Sequence, residues 1–212
     1  LFFLVLYPDV SRARETASQT RFAPSDAWIG ALSWLEENTP EPFGNADFYY
    51  QRYSTPFEYP DTAYGVTAWW DYGYWIVRIA HRMPSQNPGG PVVEAVNLFV
   101  AQDEAAAGEI MNDLGSRYLI TDYQIVTDKF HAPVTLSGLD LQDFRATFYY
   151  REQQDSPALR PVTIYFPEYY RSIAARLHNF AGEAVTPSEV MVISWQWQRS
   201  AEDVPYREIT EA

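Results

Sequence analysis

Two adjacent tryptophans and an aspartate give this sequence its clearest candidate binding chemistry. Trp69 and Trp70 offer two indole N–H donors, and Asp71 offers a carboxylate acceptor. A ligand hydroxyl group can use both kinds of partner, while the large rings keep water away from it. The alternative reading of the same residue types is structural: Asp71 caps the helix that follows and the indoles fill the core. Tyr72 and Gly73 complete the segment and are interpreted as parts of a turn and helix start.

Other chemistry has little support in the sequence. The three histidines stand apart, without the spacing of a metal-binding helix, and there is no Gly-rich phosphate loop, no nucleophile elbow and no cysteine. Twenty-eight acidic residues against fifteen basic ones give a formal charge of −13. Because this charge repels a phosphate backbone, we expect no nucleic-acid partner. Lys129 is the only lysine and is given no functional role.

Hydrophobic spacing predicts the elements that must position these residues. Apolar positions at helical intervals and turn residues between them predict helices over 25–36, 72–83, 92–100, 103–114 and 168–180. β-Branched and aromatic runs predict strands over 118–121, 146–150, 162–166 and 190–197. The expected fold class is mixed α/β, helix-rich in its first two thirds with a short buried sheet, and strand-rich in its C-terminal third.

The start of the chain is an apolar run over residues 1–7, followed by Pro8. The run is far shorter than a membrane span, so it is interpreted either as a buried first strand or as the stump of a transmembrane helix. Residues 8–212 are expected to form a single globular domain. Its helical part covers about 24–115 and its strand-richer part about 116–212.

The string W-W-D-Y-G at residues 69–73 resembles the signature of the catalytic subunit of oligosaccharyltransferase, the membrane enzyme that glycosylates asparagine in N-x-Ser/Thr sequons. Two flanking strings strengthen the resemblance: W-L-E-E-N-T-P at 34–40 and R-M-P-S-Q-N-P at 82–88. The compact length looks like a short archaeal member. The resemblance implies a C-terminal soluble domain behind a multi-spanning membrane domain, with residues 1–7 as the end of the last transmembrane helix.

The resemblance also implies roles for individual residues. In this family the two indoles and the aspartate bind the sequon hydroxyl group, which assigns that task here to the pair of tryptophans and Asp71. A second family motif lies on a later helix, and the best match is Ile173, expected to touch the methyl group of a sequon threonine. Tyr170 and Leu177 occupy the flanking positions of that motif, although Tyr170 replaces the methionine of the family pattern.

Partners and cofactors are implied by the same resemblance. The full-length protein is expected to be a glycosyltransferase of the cell membrane, with this domain on the extracytoplasmic face. Its partners would be an acceptor polypeptide and a lipid-linked oligosaccharide. A divalent metal, Mn or Mg, is expected in the membrane domain and none in this chain, so the chain alone should be inactive. Two alternatives stay open: a carbohydrate-binding module with aromatic platforms, and a structural domain of a membrane protein.

Overall fold

The computed structural model describes residues 2–19, 23–45, 47–152 and 158–211. The α-helices in these residues are α1 (Phe2–Ser18), α2 (Asp26–Asn38), α3 (Gly73–Trp75), α4 (Val93–Val100), α5 (Glu104–Asp113), α6 (Tyr123–Val126), α7 (His131–Leu136), α8 (Leu141–Phe144), α9 (Pro167–Arg171) and α10 (Ile173–Asn179). The strands are β1 (Gly65–Thr67), β2 (Met83–Pro84), β3 (Ser116–Leu119), β4 (Arg145–Tyr150), β5 (Arg160–Tyr165), β6 (Ser194–Arg199) and β7 (Pro205–Glu211). The expected mixed α/β class is confirmed.

The first sheet is small and parallel, in the order β2-β1-β3. All three residues of β1 are buried, as expected for the central strand of a parallel sheet. The hydroxyl group of Thr67 lies 2.8 Å from those of both Ser85 and Ser116, so this buried side chain is satisfied by both neighbouring segments. The residues that follow β1 therefore leave the sheet at the carboxyl end of its central strand.

The second sheet has the order β5-β4-β7-β6. It consists of two antiparallel pairs, β4 with β5 and β6 with β7, joined by a parallel bridge between Tyr149 and Glu208. This arrangement leaves β6 at an edge. The sheet accounts for the strand-rich character of the last third of the chain.

A main core cluster connects the first sheet to the helices around it. It includes α2 through Leu32 and Leu35, β1 through Val66, α4 through Phe99, and Trp69. A second cluster surrounds Phe130 and Tyr169, and a third contains Leu98, Ala107 and Ile173. Burial of such aliphatic and aromatic side chains is the main force that stabilises the fold.

Several predicted boundaries are wrong. The helix predicted over 72–83 ends at Ala80, because His81 adopts a left-handed conformation with φ of 49° and the chain then pairs through Met83 with β1. The helix predicted over 168–180 is broken at Ser172, whose extended ψ separates α9 from α10. The strand predicted over 190–197 begins at Ser194, and residues 190–192 are exposed.

The start of the chain is helical. Helix α1 runs through Pro8 to Ser18, so the buried-strand interpretation of residues 1–7 is wrong. Residue 1 lies outside the described residues. Over the described ranges, no helix combines the length and the apolar character that a membrane span requires. The division into a membrane stump and one globular domain stays a prediction.

Candidate functional site

The WWDYG turn, residues 69–73, follows β1 directly. Trp70–Tyr72 form one turn of 3₁₀ helix, α3 continues from Gly73, and a short π-helix runs over Ile76–Ala80. Open parallel sheets bind ligands at the carboxyl ends of their strands, and the turn lies at that end of β1. The topology therefore places the predicted residues where a ligand site is favoured.

The two tryptophans differ in burial. Trp69 is 3% exposed and packs against Phe99, with ring centroids 6.1 Å apart, so it belongs to the core. Trp70 is half-buried, and its indole N–H is buried without a hydrogen-bond partner among the described residues. A buried donor without an acceptor costs free energy. A ligand atom that accepts a hydrogen bond from this N–H would therefore stabilise the complex.

Asp71 forms an ion pair with Lys129. The distance from Lys129 Nζ to Asp71 Oδ2 is 2.6 Å, and the two side chains are 28% and 23% exposed. The helix-cap interpretation of Asp71 is wrong, because Trp69 occupies the cap position and no side-chain cap bond forms there. Asp71 Oδ1 accepts no hydrogen bond from the described part of the chain. The site thus offers a partly exposed carboxylate oxygen beside an ammonium group.

Tyr72 separates this ion pair from an aromatic cavity of about 520 Å³. Lys129 Nζ lies 5.1 Å from the centroid of the Tyr72 ring, which also packs against Trp28 at 4.4 Å and Trp75 at 5.0 Å. The Tyr72 hydroxyl group donates to Gln124 Oε1 at 3.0 Å. Burial raises the pKa of Tyr72 above its ordinary value, and the nearby carboxylate of Asp122 adds to the effect. The phenol is therefore neutral and anchors the turn.

Gly73 allows the turn to approach the segment after β2. A Cβ atom at this position would lie 2.4 Å from the carbonyl oxygen of Gln86 and 2.7 Å from Cα of Asn87. The Gln86 side chain is buried, and its amide donates to the carbonyl of Ala68 at 2.8 Å while its oxygen accepts from the N–H of Val92 at 3.0 Å. The side chain of Gln86 thus holds Ala68, which precedes the turn, and the backbone of Gln86 packs against Gly73 within the turn.

Arg82 connects the turn segment to α2. Its guanidinium group is buried and donates to the carbonyl oxygens of Glu36 at 3.0 Å and Thr39 at 2.7 Å, at the carboxyl end of α2. It also donates to the Thr39 hydroxyl group, and Glu41 Oε2 lies 3.5 Å away. The unpaired carbonyls at a helix end are thereby satisfied by a cation, which the helix dipole favours. These contacts explain why the strings at 34–40 and 82–88 accompany the turn.

The second predicted motif, Tyr170, Ile173 and Leu177, lies on α9 and α10, outside the WWDYG turn. Ile173 is buried in the third cluster, which contains neither the tryptophans of the turn nor Asp71. Tyr170 lies on α9 and Leu177 on α10, and both side chains are 38% exposed. The break at Ser172 means that Tyr170 does not share one continuous helical stripe with the other two residues. Contact of Ile173 with a ligand at Asp71 therefore stays a prediction.

Lys129 is the site residue that sequence reasoning missed. Its one available signal was composition, since a single lysine among fifteen basic residues is unusual. Over the described residues, no group of three or more His, Asp or Glu side chains lies together in a way that could hold a metal ion. The polar groups of the site are a carboxylate, an ammonium group and an indole N–H, all of which form hydrogen bonds.

Solved structures with the same fold define the class. A crystal structure of the C-terminal globular domain of an Archaeoglobus fulgidus oligosaccharyltransferase superposes with a TM-score of 0.54 at 21% identity, covering 89% of this chain and all of that one. The fold is thus that of an oligosaccharyltransferase C-terminal globular domain.

Within this class, the chain is similar to archaeal AglB proteins. Residues 25–126 match the family model of the AglB core domain. The dolichyl-monophosphooligosaccharide-protein glycotransferase AglB of Haloferax volcanii is 35% identical over 91% of this chain and 20% of its own length. The dolichyl-phosphooligosaccharide-protein glycotransferase 3 of Archaeoglobus fulgidus is 32% identical over 85% of this chain and 24% of its own. The chain is homologous to archaeal AglB oligosaccharyltransferases and spans about a fifth to a quarter of these relatives.

Longer Archaeoglobus fulgidus structures carry ligands. AglB in complex with an inhibitory peptide and a dolichol-phosphate has a TM-score of 0.67 and 30% identity, covering 88% of this chain and 25% of that one. An oligosaccharyltransferase tethered to an acceptor peptide containing the NVT sequon has a TM-score of 0.66 and 30% identity, covering 85% and 24%. A complex with Zn and sulfate has a TM-score of 0.66 and 29% identity, covering 85% and 28%.

Proposed function

We propose that this chain is the acceptor-recognising part of a membrane oligosaccharyltransferase and binds the hydroxyl group of the Ser or Thr in an N-x-Ser/Thr sequon. The observation that carries the proposal is the Asp71–Lys129 pair, which presents a free carboxylate oxygen beside a cation at the carboxyl end of β1. The relative bound to an NVT acceptor peptide supports the choice of ligand.

The hydrogen-bonding capacity of the site matches one hydroxyl group. A hydroxyl has one donor and two acceptor lone pairs. Its proton is donated to Asp71 Oδ1, and its oxygen accepts from the remaining ammonium protons of Lys129. The indole N–H of Trp70, which has no acceptor in the described structure, is a second donor for the same oxygen. Trp69 stays in the core and packs beside Trp70, and the centroids of the two rings are 6.2 Å apart.

Discrimination follows from this division of polar and apolar tasks. A peptide with alanine in place of Ser or Thr offers no hydroxyl group to Asp71 Oδ1 or to the buried Trp70 N–H, and a site built to bind a hydroxyl group rejects such a peptide by up to about 10⁴-fold. The extra methyl group of threonine is worth only about 1 kcal/mol in an apolar contact. We assign that smaller preference to Ile173, with Tyr170 and Leu177 beside it, on the strength of the family resemblance. The ratio of Thr to Ser peptide use in an Ile173→Ala enzyme tests this assignment.

The whole protein, in this proposal, transfers a lipid-linked oligosaccharide to the sequon asparagine. The names of the curated relatives and the dolichol-phosphate in one homologous structure support this reaction. The asparagine, the lipid carrier and a divalent metal would be bound by the part of the protein outside these 212 residues, on the extracytoplasmic side of the membrane. The present chain then contributes acceptor binding and no bond-breaking group.

The test is peptide glycosylation by the full-length enzyme carrying Asp71→Asn. This change keeps the size of the side chain but removes its charge, and loss of a charge-assisted hydrogen bond costs about 1.5–3 kcal/mol, or about 10- to 100-fold in turnover of an N-x-Thr peptide. Glu208→Gln is the matched control, because Glu208 also forms a partly buried ion pair, with Arg151 at 2.7 Å, in the second sheet. It should leave turnover within about twofold.

Cross-linking adds a second readout. N-x-Thr peptides should label residues 69–71 or Lys129, and N-x-Ala peptides should not. Unchanged turnover in Asp71→Asn, or equal labelling by both peptides, would refute Asp71 as the hydroxyl-binding residue. Retained affinity for free glycans with no effect of the sequon would support the carbohydrate-binding alternative instead.

A further inference from the structure

Lys129 lies in a short, tightly folded segment, residues 122–130, which is named the lysine turn below. The backbone N–H of Lys129 donates to the carbonyl oxygen of Gln124 at 2.8 Å, and this bond closes the turn on itself. Asp122 begins the turn by capping α6, where its Oδ1 accepts from the N–H of Ile125 at 3.1 Å. The position of the Lys129 ammonium group therefore depends on the contacts that hold this turn.

The first anchor of the lysine turn comes from the WWDYG turn. The Tyr72 hydroxyl group donates to the side-chain oxygen of Gln124 at 3.0 Å, and the centroid of the Tyr72 ring lies 5.1 Å from Lys129 Nζ. Lys129 Nζ also pairs with Asp71 Oδ2 at 2.6 Å. Gln124 is an exposed residue. Because water competes for a hydrogen bond of this kind, this anchor restrains the turn only weakly.

The second anchor is Tyr169, which lies on α9 and is 5% exposed. Its hydroxyl group donates to the carbonyl oxygen of Val126 at 2.7 Å in a buried position. Its ring packs edge-on against Phe130, the residue after Lys129, with ring centroids 4.8 Å apart. Burial raises the pKa of Tyr169, so the phenol keeps the proton that it donates. Tyr169 thus holds the lysine turn on both sides of Lys129.

Tyr169 also connects the lysine turn to the second predicted motif. It precedes Tyr170, and its carbonyl oxygen accepts from the hydroxyl group and the N–H of Ser172, where α9 ends and α10 begins. Ile173 follows directly, in a cluster that contains neither the tryptophans of the WWDYG turn nor Asp71. The described contacts therefore link the two motif regions through the segment that carries Lys129.

We propose that Tyr169 is a positioning residue of the acceptor site, because it holds Lys129 where the ammonium group pairs with Asp71. This inference rests on the proposed function, in which that pair binds the sequon hydroxyl group. The Tyr169 hydroxyl group is used by Val126 inside the protein, so Tyr169 acts through Lys129 and not on the peptide. Without this hydrogen bond the lysine turn loses its buried anchor, and Lys129 spends less time beside Asp71. Acceptor binding is then weaker, whereas the transfer step is unchanged.

The first test is NMR of the 212-residue chain labelled at its lysine side chain. Lys129 is the only lysine in these residues, so its Nζ and Cε give signals that need no assignment. Asp71→Asn removes the charge of the partner and defines the signal of an unpaired Lys129. In Tyr169→Phe, which keeps the ring in the core, we expect the Lys129 signal to move most of the way toward that reference. An unchanged signal would overturn the proposal, whatever the function of the site.

Tyr64→Phe is the matched control. Tyr64 is 3% exposed, and its hydroxyl group also donates to a backbone carbonyl, that of Pro40 beyond the end of α2. This change should lower the free energy of unfolding about as much as Tyr169→Phe does, but leave the Lys129 signal where it is. Equal signal changes in both variants would contradict a positioning role. If Tyr169→Phe fails to fold by circular dichroism, Phe130→Leu, which removes the ring contact, must move the signal in the same direction.

The second test is peptide glycosylation by the full-length enzyme. Tyr169→Phe should raise KM for an N-x-Thr peptide about three- to tenfold, as expected for one lost hydrogen bond, and leave kcat within about twofold. Lys129→Gln should also raise KM, and adding Tyr169→Phe to it should have no further effect, because both changes act through one group. Additive effects on KM would overturn the proposal. If Asp71→Asn leaves turnover unchanged, the sequon function itself is refuted, and the NMR signal then decides whether Tyr169 places Lys129.

Discussion

Replacing Gln86 with leucine tests whether its buried amide holds the WWDYG turn in place. The substitution removes two hydrogen bonds, one to the Ala68 carbonyl at 2.8 Å and one from the Val92 N–H at 3.0 Å. Gln86 is 3% exposed, so water does not replace the lost amide. Each orphaned backbone group costs about 1–3 kcal/mol. Because Val92 is half-buried, the expected loss in the free energy of unfolding is about 3 kcal/mol, a large share of the stability of an ordinary domain.

Urea denaturation measures this loss directly. With a slope of about 3 kcal/mol per molar, the midpoint should fall by about 1 M at an unchanged slope. Gln102→Leu is the matched control, since the Gln102 amide also donates two hydrogen bonds to backbone carbonyls but lies on an exposed side chain. Its midpoint should move by less than about 0.2 M, because water takes over the lost bonds. If Gln86→Leu loses no more than Gln102→Leu, the argument that Gln86 braces the turn is wrong.

Two further predictions concern the turn. Gly73→Ala places a methyl group against the Gln86 carbonyl and should destabilise the fold by about 1–3 kcal/mol. Gly108→Ala is the control, because Gly108 lies in α5 with open space around it, and this change should stabilise the fold by about 0.5–1 kcal/mol. Thermal melts of both variants measure the two effects. Burial raises the pKa of Tyr72, so the folded state keeps this proton at a pH where the unfolded chain, with a tyrosine pKa near 10, loses it. The contribution of Tyr72 to stability should therefore be constant below about pH 10 and fall above it. Tyr72→Phe should make that fall shallower and the exposed Tyr123→Phe should not, as urea midpoints from pH 8 to 11 will show.

The fold was predictable where local spacing determines it. The stripe through Leu32 and Leu35 faces the main core in α2 as expected. The predicted helix boundaries were wrong where another contact outweighs the helical spacing of the sequence. Met83 fits a helical stripe, but pairing with Gly65 in the parallel sheet takes it out of the helix. Ser172 also fits a helix interior, yet its hydroxyl group donates to the Tyr169 carbonyl and caps α10, which breaks the helix there.

The candidate site was predictable only in part, for a related reason. The residue types at 69–71 are compatible with hydroxyl binding and with a helix cap and core packing, and it is the family resemblance that favours the first and names the ligand. The cation that pairs with Asp71 lies 58 residues further along the chain, where no spacing rule connects the two. Tertiary structure alone brings them together.

The strand order of the first sheet has a consequence for synthesis of the chain. β1 leaves the ribosome before β2 and β3, which are its two sheet partners, and α2 emerges before Arg82, which binds its carboxyl end. Chains fold in the order of synthesis when contacts are local, but this half of the protein must wait for later residues. Lys129 is synthesised after β3. The three strands of the first sheet can therefore pair before Lys129 is available, and until then Asp71 has no cation beside it.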